Sequence, residues 1–132
     1  MILNLEIIGS LLLLLAFFHI PFPKKFEWKK ELASLSLLNR QMLYVHTFFI
    51  ALVVFLMGLF CLVSAKEIVE TTIGRRVALG FGIFWLARLI IQFFGYSSDL
   101  WKGKTFETSI HIIFSIFWFY LSFSFFEIYF SA

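Results

Sequence analysis

The chain has 132 residues, of which 61% are hydrophobic, 21% aromatic and only 14% charged, with a formal net charge of +3 and a mean hydropathy of +0.95. Soluble domains carry about a quarter of their residues as charges, so these figures exclude a water-soluble globular domain and describe an integral membrane protein. The pI near 9.2 does not point to nucleic acid, because the basic residues flank apolar stretches and form no domain of their own.

Four apolar runs, 2–22, 42–64, 73–96 and 108–130, have about the length needed to cross ~30 Å of hydrocarbon at ~1.5 Å per residue. Twenty phenylalanines against seven glycines, with helical periodicity and none of the strict alternation of a membrane β-barrel, predict packing by bulky rings. The expected fold is all-α: a single domain over residues 1–132, built as an up-and-down bundle of four transmembrane helices with a short interfacial helix in the first loop.

The first run differs from a signal peptide. Its opening has no Lys or Arg, it carries Glu6, and no small-x-small cleavage pattern follows Leu11–Leu15, so it is expected to remain as the first span. Pro21 and Pro23 end it by removing backbone donors. In the connection 24–40, Trp28, Leu32, Leu35 and Leu38 recur at helical spacing behind Lys24, Lys25, Lys29 and Lys30, the pattern of a helix lying in the headgroup region.

On the second span Thr47, Ala51, Val54, Gly58 and Cys61 form a narrow face that another helix can approach closely. Cys61 is the only cysteine, which excludes an intrachain disulfide, a Cys-based zinc site and iron–sulfur spacing. A polar turn follows, and Arg75 and Arg76 open the third span. That span contains Arg88, whose guanidinium keeps its charge and costs roughly 3 kcal/mol to insert into hydrocarbon. The residues Gly95, Tyr96, Ser97, Ser98 and Asp99 are a helix stop, Trp101, Lys102 and Lys104 are interfacial anchors, and Thr105 is the expected cap of the last span, with Glu107 in its first turn.

Orientation follows from the basic residues. Lys24, Lys25, Lys29, Lys30, Arg40, Lys102 and Lys104 lie in the first and third loops, against Lys66, Arg75 and Arg76 in the second. The positive-inside rule places the first side in the cytoplasm and both termini outside.

An even number of spans brings His19, His46, Gln92 and His111 to similar depth near that cytoplasmic side, with Arg88 one turn deeper than Gln92. The expected site is a polar pocket lined by Arg88, Gln92, Tyr44, His46, His111 and Ser115. A planar guanidinium suits an anionic or carbonyl-bearing ligand, such as a lipid headgroup or a quinone. One alternative is a redox protein or enzyme in which His19, His46 and His111 hold a metal or haem, although no HxxxH, ExxH or HxxEH lets one helix supply two ligands. Another is an accessory subunit in which Arg88 only ties helices together. The sequence has no GxSxG, no Gly-rich phosphate loop and no paired carboxylates in a span, and it names no cofactor.

The segments Arg40-Gln41-Met42 and Phe84-Trp85-Leu86-Ala87-Arg88-Leu89 resemble those of small bacterial membrane proteins. That resemblance implies a bacterial inner membrane and says nothing of chemistry. The expected partners are membrane lipids, a quinone, and further copies of the chain or the subunits of a larger membrane complex.

Overall fold

The computed structural model describes residues 1–95, 98–100 and 103–131. Among them the regular elements are helices: α1 (Ile2–Phe18), α2 (Phe22–Lys25), α3 (Trp28–Glu31), α4 (Leu37–Val63), α5 (Ala65–Glu70), α6 (Thr72–Phe94), a 3-10 turn at Ser98–Leu100, and α7 (Thr105–Phe130). The helices α4, α6 and α7 are long and apolar enough to cross a membrane, while α1 is apolar but shorter, at 17 residues. Many large apolar side chains point outward, Phe94, Phe130 and Ile73 among them, as suits a protein whose surroundings are acyl chains.

The element boundaries correct the expectations in several places. In the first apolar run the helix stops at Phe18, because the amides of His19 and Ile20 turn back to the carbonyls of Ala16 and Phe17 at 3.2 and 3.1 Å and Pro21 has no N–H to continue the ladder. The single interfacial helix is two one-turn helices. Glu27, with φ 53° and ψ 46°, adopts the left-handed conformation between α2 and α3; α3 then ends at Glu31 and α4 begins at Leu37, so Trp28, Leu32, Leu35 and Leu38 do not share one helical face.

The second span starts five residues before its expected position, at Leu37, because the Ser36 hydroxyl accepts the amide of Asn39 at 3.2 Å and caps α4. The last span also starts early, at Thr105. Thr105 is its first helical residue, the N-cap is Lys104 with no side-chain hydrogen bond, and Glu107 does lie in the first turn. The third span ends at Phe94 with Gly95 as its C-cap; the expected stop residues Tyr96 and Ser97 and the anchors Trp101 and Lys102 lie outside the described residues.

The chain divides into two compact units, one over Ile2–Ala65 and one over Lys66–Ala132. Each is built on a pair of antiparallel helices. In the first, α1 packs on α4 with Leu5, Ile8 and Leu12 fully buried on one side and Val54, Met57 and Cys61 on the other. The backbones meet at Gly9 and Gly58: a Cβ on Gly9 would lie 2.7 Å from the Gly58 carbonyl oxygen, and one on Gly58 would lie 2.8 Å from that of Gly9. Glycine is needed on both helices for this approach, and Val54, Gly58 and Cys61 of the expected small-residue face are buried by it.

In the second unit α6 packs on α7 through larger groups. Phe81 meets Phe125 edge-on with ring centres 5.3 Å apart, and Trp85 stacks on Trp118. At its start, the Thr71 hydroxyl accepts the amide of Gly74 at 2.9 Å and donates to the Glu67 carbonyl at 2.6 Å. A Cβ on Gly74 would collide with that same carbonyl, so the α5–α6 corner closes only with glycine there.

Candidate functional site

Along α6, Trp85, Arg88 and Gln92 follow at intervals of three and four and share a face. Along α7, His111, Ser115, Trp118 and Ser122 do the same. Because the helices run antiparallel, Gln92 meets His111 and Trp85 meets Trp118, which brings the polar side chains of both helices together.

Gln92 joins the two helices. Its side chain is buried, only 7% exposed, and its Nε2 donates to the His111 carbonyl at 3.3 Å and to His111 Nδ1 at 3.0 Å. Its Oε1 accepts from the indole Nε1–H of Trp118 at 3.4 Å. An indole can only donate and a carbonyl can only accept, so these two partners fix which way the amide points. The same logic sets the imidazole: Gln92 Nε2 can only donate, so Nδ1 is the acceptor of this bond. The Ser115 hydroxyl donates to the His111 carbonyl at 2.7 Å, and Phe93 lies edge-on to the imidazole at 5.8 Å.

Trp118 is the platform on which the charge rests. Its ring is 4% exposed. It is stacked with Trp85 at 5.1 Å and 13° and with Phe114 at 5.4 Å and 26°. The guanidinium carbon of the half-buried Arg88 lies 5.3 Å from the ring centre, within the range of a cation–π attraction, which is worth about 2 kcal/mol when desolvated. Among the described residues no buried side-chain nitrogen or oxygen lacks a hydrogen-bond partner, as a low-dielectric interior demands.

Of the residues expected from the sequence, Arg88, Gln92, His111 and Ser115 come together on the α6–α7 pair, whereas Tyr44, His46 and His19 belong to the other unit. Both of those imidazoles bond to their own helix. His46 Nδ1 donates to the Met42 carbonyl at 2.7 Å and His19 Nδ1 to that of Leu15 at 2.9 Å. Tyr44 lies edge-on to Trp28 at 5.3 Å and lines an open cleft of about 160 Å³ with His19, Pro23, Thr47, Phe48 and Ala51. Among the described residues, no group of three or more His, Cys, Asp or Glu side chains is placed to hold a metal ion.

The sequence places Trp118 on one stripe of the last helix with His111, Ser115 and Ser122, without showing that it is the centre of the pair. Its N–H gave the signal. A buried indole needs an acceptor, and Gln92, the one amide side chain within the apolar run of α6, can supply it. No family model, no curated protein and no solved structure matches this chain.

Proposed function

We propose that this chain is a small multi-pass membrane protein, its four apolar helices forming one bundle, that binds an anionic or carbonyl-bearing ligand at Arg88. The ligand class is a lipid headgroup or a quinone. The observation that carries this reading is the guanidinium set 5.3 Å from the ring of Trp118, a ring whose own N–H is tied to Gln92. A cation in an apolar helix is costly, and here its position is defined by an aromatic stack and a hydrogen-bonded amide. Such preorganisation favours bidentate recognition of phosphate, carboxylate or carbonyl oxygen. Gln92, His111 and Ser115 act in this scheme as positioning residues, since their bonds run to one another and to the α7 backbone. The excess of lysine and arginine in the first and third loops supports placing the Arg88 end of α6 toward the cytoplasm of a bacterial inner membrane.

Trp85 and Trp118 make the site visible. The full chain in lipid nanodiscs is titrated with a short-chain quinone in one arm, and transferred from phosphatidylcholine to phosphatidylglycerol nanodiscs in the other, following tryptophan emission. A response to one of them, reduced at least tenfold in Arg88→Met and partly kept in Arg88→Lys, is expected. An identical response in wild type and Arg88→Met, in both arms, overturns the reading.

A second reading, a purely structural tie, draws on the fact that every bond Gln92 makes across the pair ends on α7. It predicts that Arg88→Met lowers stability and that neither probe changes the emission of the wild type.

A further inference from the structure

The cleft of the first unit has a polarity that the Arg88 site does not explain. It is walled by Trp28 and Tyr44 at one end and by Phe48 and Ala51 at the other, with Ile20 and Pro23 alongside. Tyr44, Thr47, Phe48 and Ala51 share one face of α4 and extend over ~10 Å of its length, so the cleft is a track along the helix. Its volume of about 160 Å³ falls below the roughly 300–1,000 Å³ of pockets that enclose a whole drug-sized ligand, and it is open on one side. The polar groups contribute little to it: His19 directs its Nδ1–H to the Leu15 carbonyl, and Trp28 and Tyr44 meet edge to ring.

Charge gathers at one end. Pro23 and Trp28 line the cleft, and Lys24, Lys25, Lys29 and Lys30 follow them directly in sequence, all four exposed and, among the described residues, in no ion pair; with the exposed Glu27 and Glu31 the segment 24–31 keeps a net charge of +2, four lysines less two glutamates. Trp28 and Tyr44 are amphipathic rings of the kind that collect at a bilayer's headgroup level. A cationic cluster at the interface and an apolar track leading away from it along a spanning helix match the two halves of one molecule.

We infer that the cleft between α1, the α2–α3 turn and α4 binds an anionic phospholipid, with an acyl chain lying along Tyr44, Thr47 and Ala51 and the phosphate held by Lys24, Lys25, Lys29 and Lys30. This site is separate from the one at Arg88, and neither depends on the other. Lysines near a membrane surface attract anionic lipid, so this cluster gives selectivity over a zwitterionic lipid with identical chains.

The experiment is thermal unfolding of the full chain in detergent with added phosphatidylglycerol, phosphatidylcholine of the same chains, or glycerol phosphate alone. Phosphatidylglycerol is expected to raise the melting temperature at a half-saturating concentration roughly tenfold lower than phosphatidylcholine, and glycerol phosphate to have no effect. Replacing the four exposed lysines with Gln abolishes the difference between the lipids, and Ala51→Phe, which fills the track, abolishes the shift itself. Equal shifts from the two lipids, a full shift from glycerol phosphate, or selectivity that survives the four Lys→Gln changes would overturn the assignment. Should Ala51→Phe fail to fold, the lysine variant still decides, because its changes are all on the surface. If the selectivity instead disappears in Arg88→Met and persists without the lysines, the lipid binds at the other unit and this inference is wrong while the proposed function stands.

Discussion

The α1–α4 and α6–α7 pairs solve one problem by opposite means. Lipid tails are as apolar as leucine, so helices in a bilayer gain nothing from hiding apolar surface and must associate through close packing or polar bonds. The first pair does so with backbone against backbone at Gly9 and Gly58, flanked by aliphatic side chains. The second uses stacked indoles, an amide hydrogen-bonded three ways and a guanidinium beside a ring. A glycine contact would have joined α6 to α7 without any buried polarity. That the chain instead gathers its polar side chains there, where each is costly unless satisfied, is the physical reason for seeking function on that pair.

The comparison breaks most visibly at Trp118. Trp118→Ala removes the stack on Trp85, the platform under Arg88 and the donor to Gln92, and the expected loss is about 4 kcal/mol of stability, within the range for truncating a buried aromatic residue. Trp118→Phe keeps a ring and forfeits only the indole N–H, with an expected loss of about 1 kcal/mol. Helix content followed through a dodecylmaltoside–dodecylsulfate titration measures both, and similar losses for the two variants would mean that stacking is not what holds the pair. Next in size is Gly58→Leu, which drives a side chain into the backbone of α1 and is expected to cost about 3 kcal/mol. Gly82→Leu on the other pair is its control. There the atoms nearest a Cβ are those of the Phe126 ring, at 3.1 Å, and a ring can turn aside, so a cost near 1 kcal/mol is expected; equal costs at Gly58 and Gly82 would erase the contrast.

The helices were legible because apolar length is a strong signal, and α4, α6 and α7 each cover most of a run marked in the sequence. Their ends were less so. Ser36 as a cap was hidden because the spacing of Leu35 and Leu38 continued an apparent interfacial helix across it, and the break at Glu27 has no sequence signal, since left-handed backbone is seldom carried by glutamate. The depth argument put His19, His46, Gln92 and His111 at one level, and Gln92 meets His111 because two adjacent helices joined by a short loop leave little choice of register. It had no means of assigning Tyr44 and His46 to the same pocket. That depends on which faces of different helix pairs meet, and equal depth along a span does not determine rotation about its axis.

A sharper test of the polar pair is Gln92→Leu. The side chains are similar in size, but the change removes both donors to His111 and leaves the Trp118 N–H without this acceptor in a buried place, so an expected loss of about 2 kcal/mol combines the missing bonds and the desolvated indole. The double variant Gln92→Leu with Trp118→Phe removes the unsatisfied donor as well. It is expected to recover part of that loss, and a strictly additive result would show that Gln92 and Trp118 are not coupled.

The smallest expected effect concerns the loop of the first pair, where Glu27 is the one non-glycine residue at positive φ among those described. A left-handed L-residue costs roughly 1–2 kcal/mol, while glycine accepts that backbone at an unfolded-state cost of roughly 0.5–1 kcal/mol. Glu27→Gly is therefore expected to stabilise the protein by about 0.5 kcal/mol and to leave the contact of Trp28 with Tyr44 intact, read from unchanged emission of Trp28 in a variant whose other tryptophans are replaced by phenylalanine. The opposite change, Glu27→Pro, forbids positive φ and must swing Trp28 away from Tyr44. If the glycine variant loses stability instead, the glutamate side chain makes a contact at that corner that outweighs its backbone cost, and the turn between α2 and α3 then owes its shape to that contact.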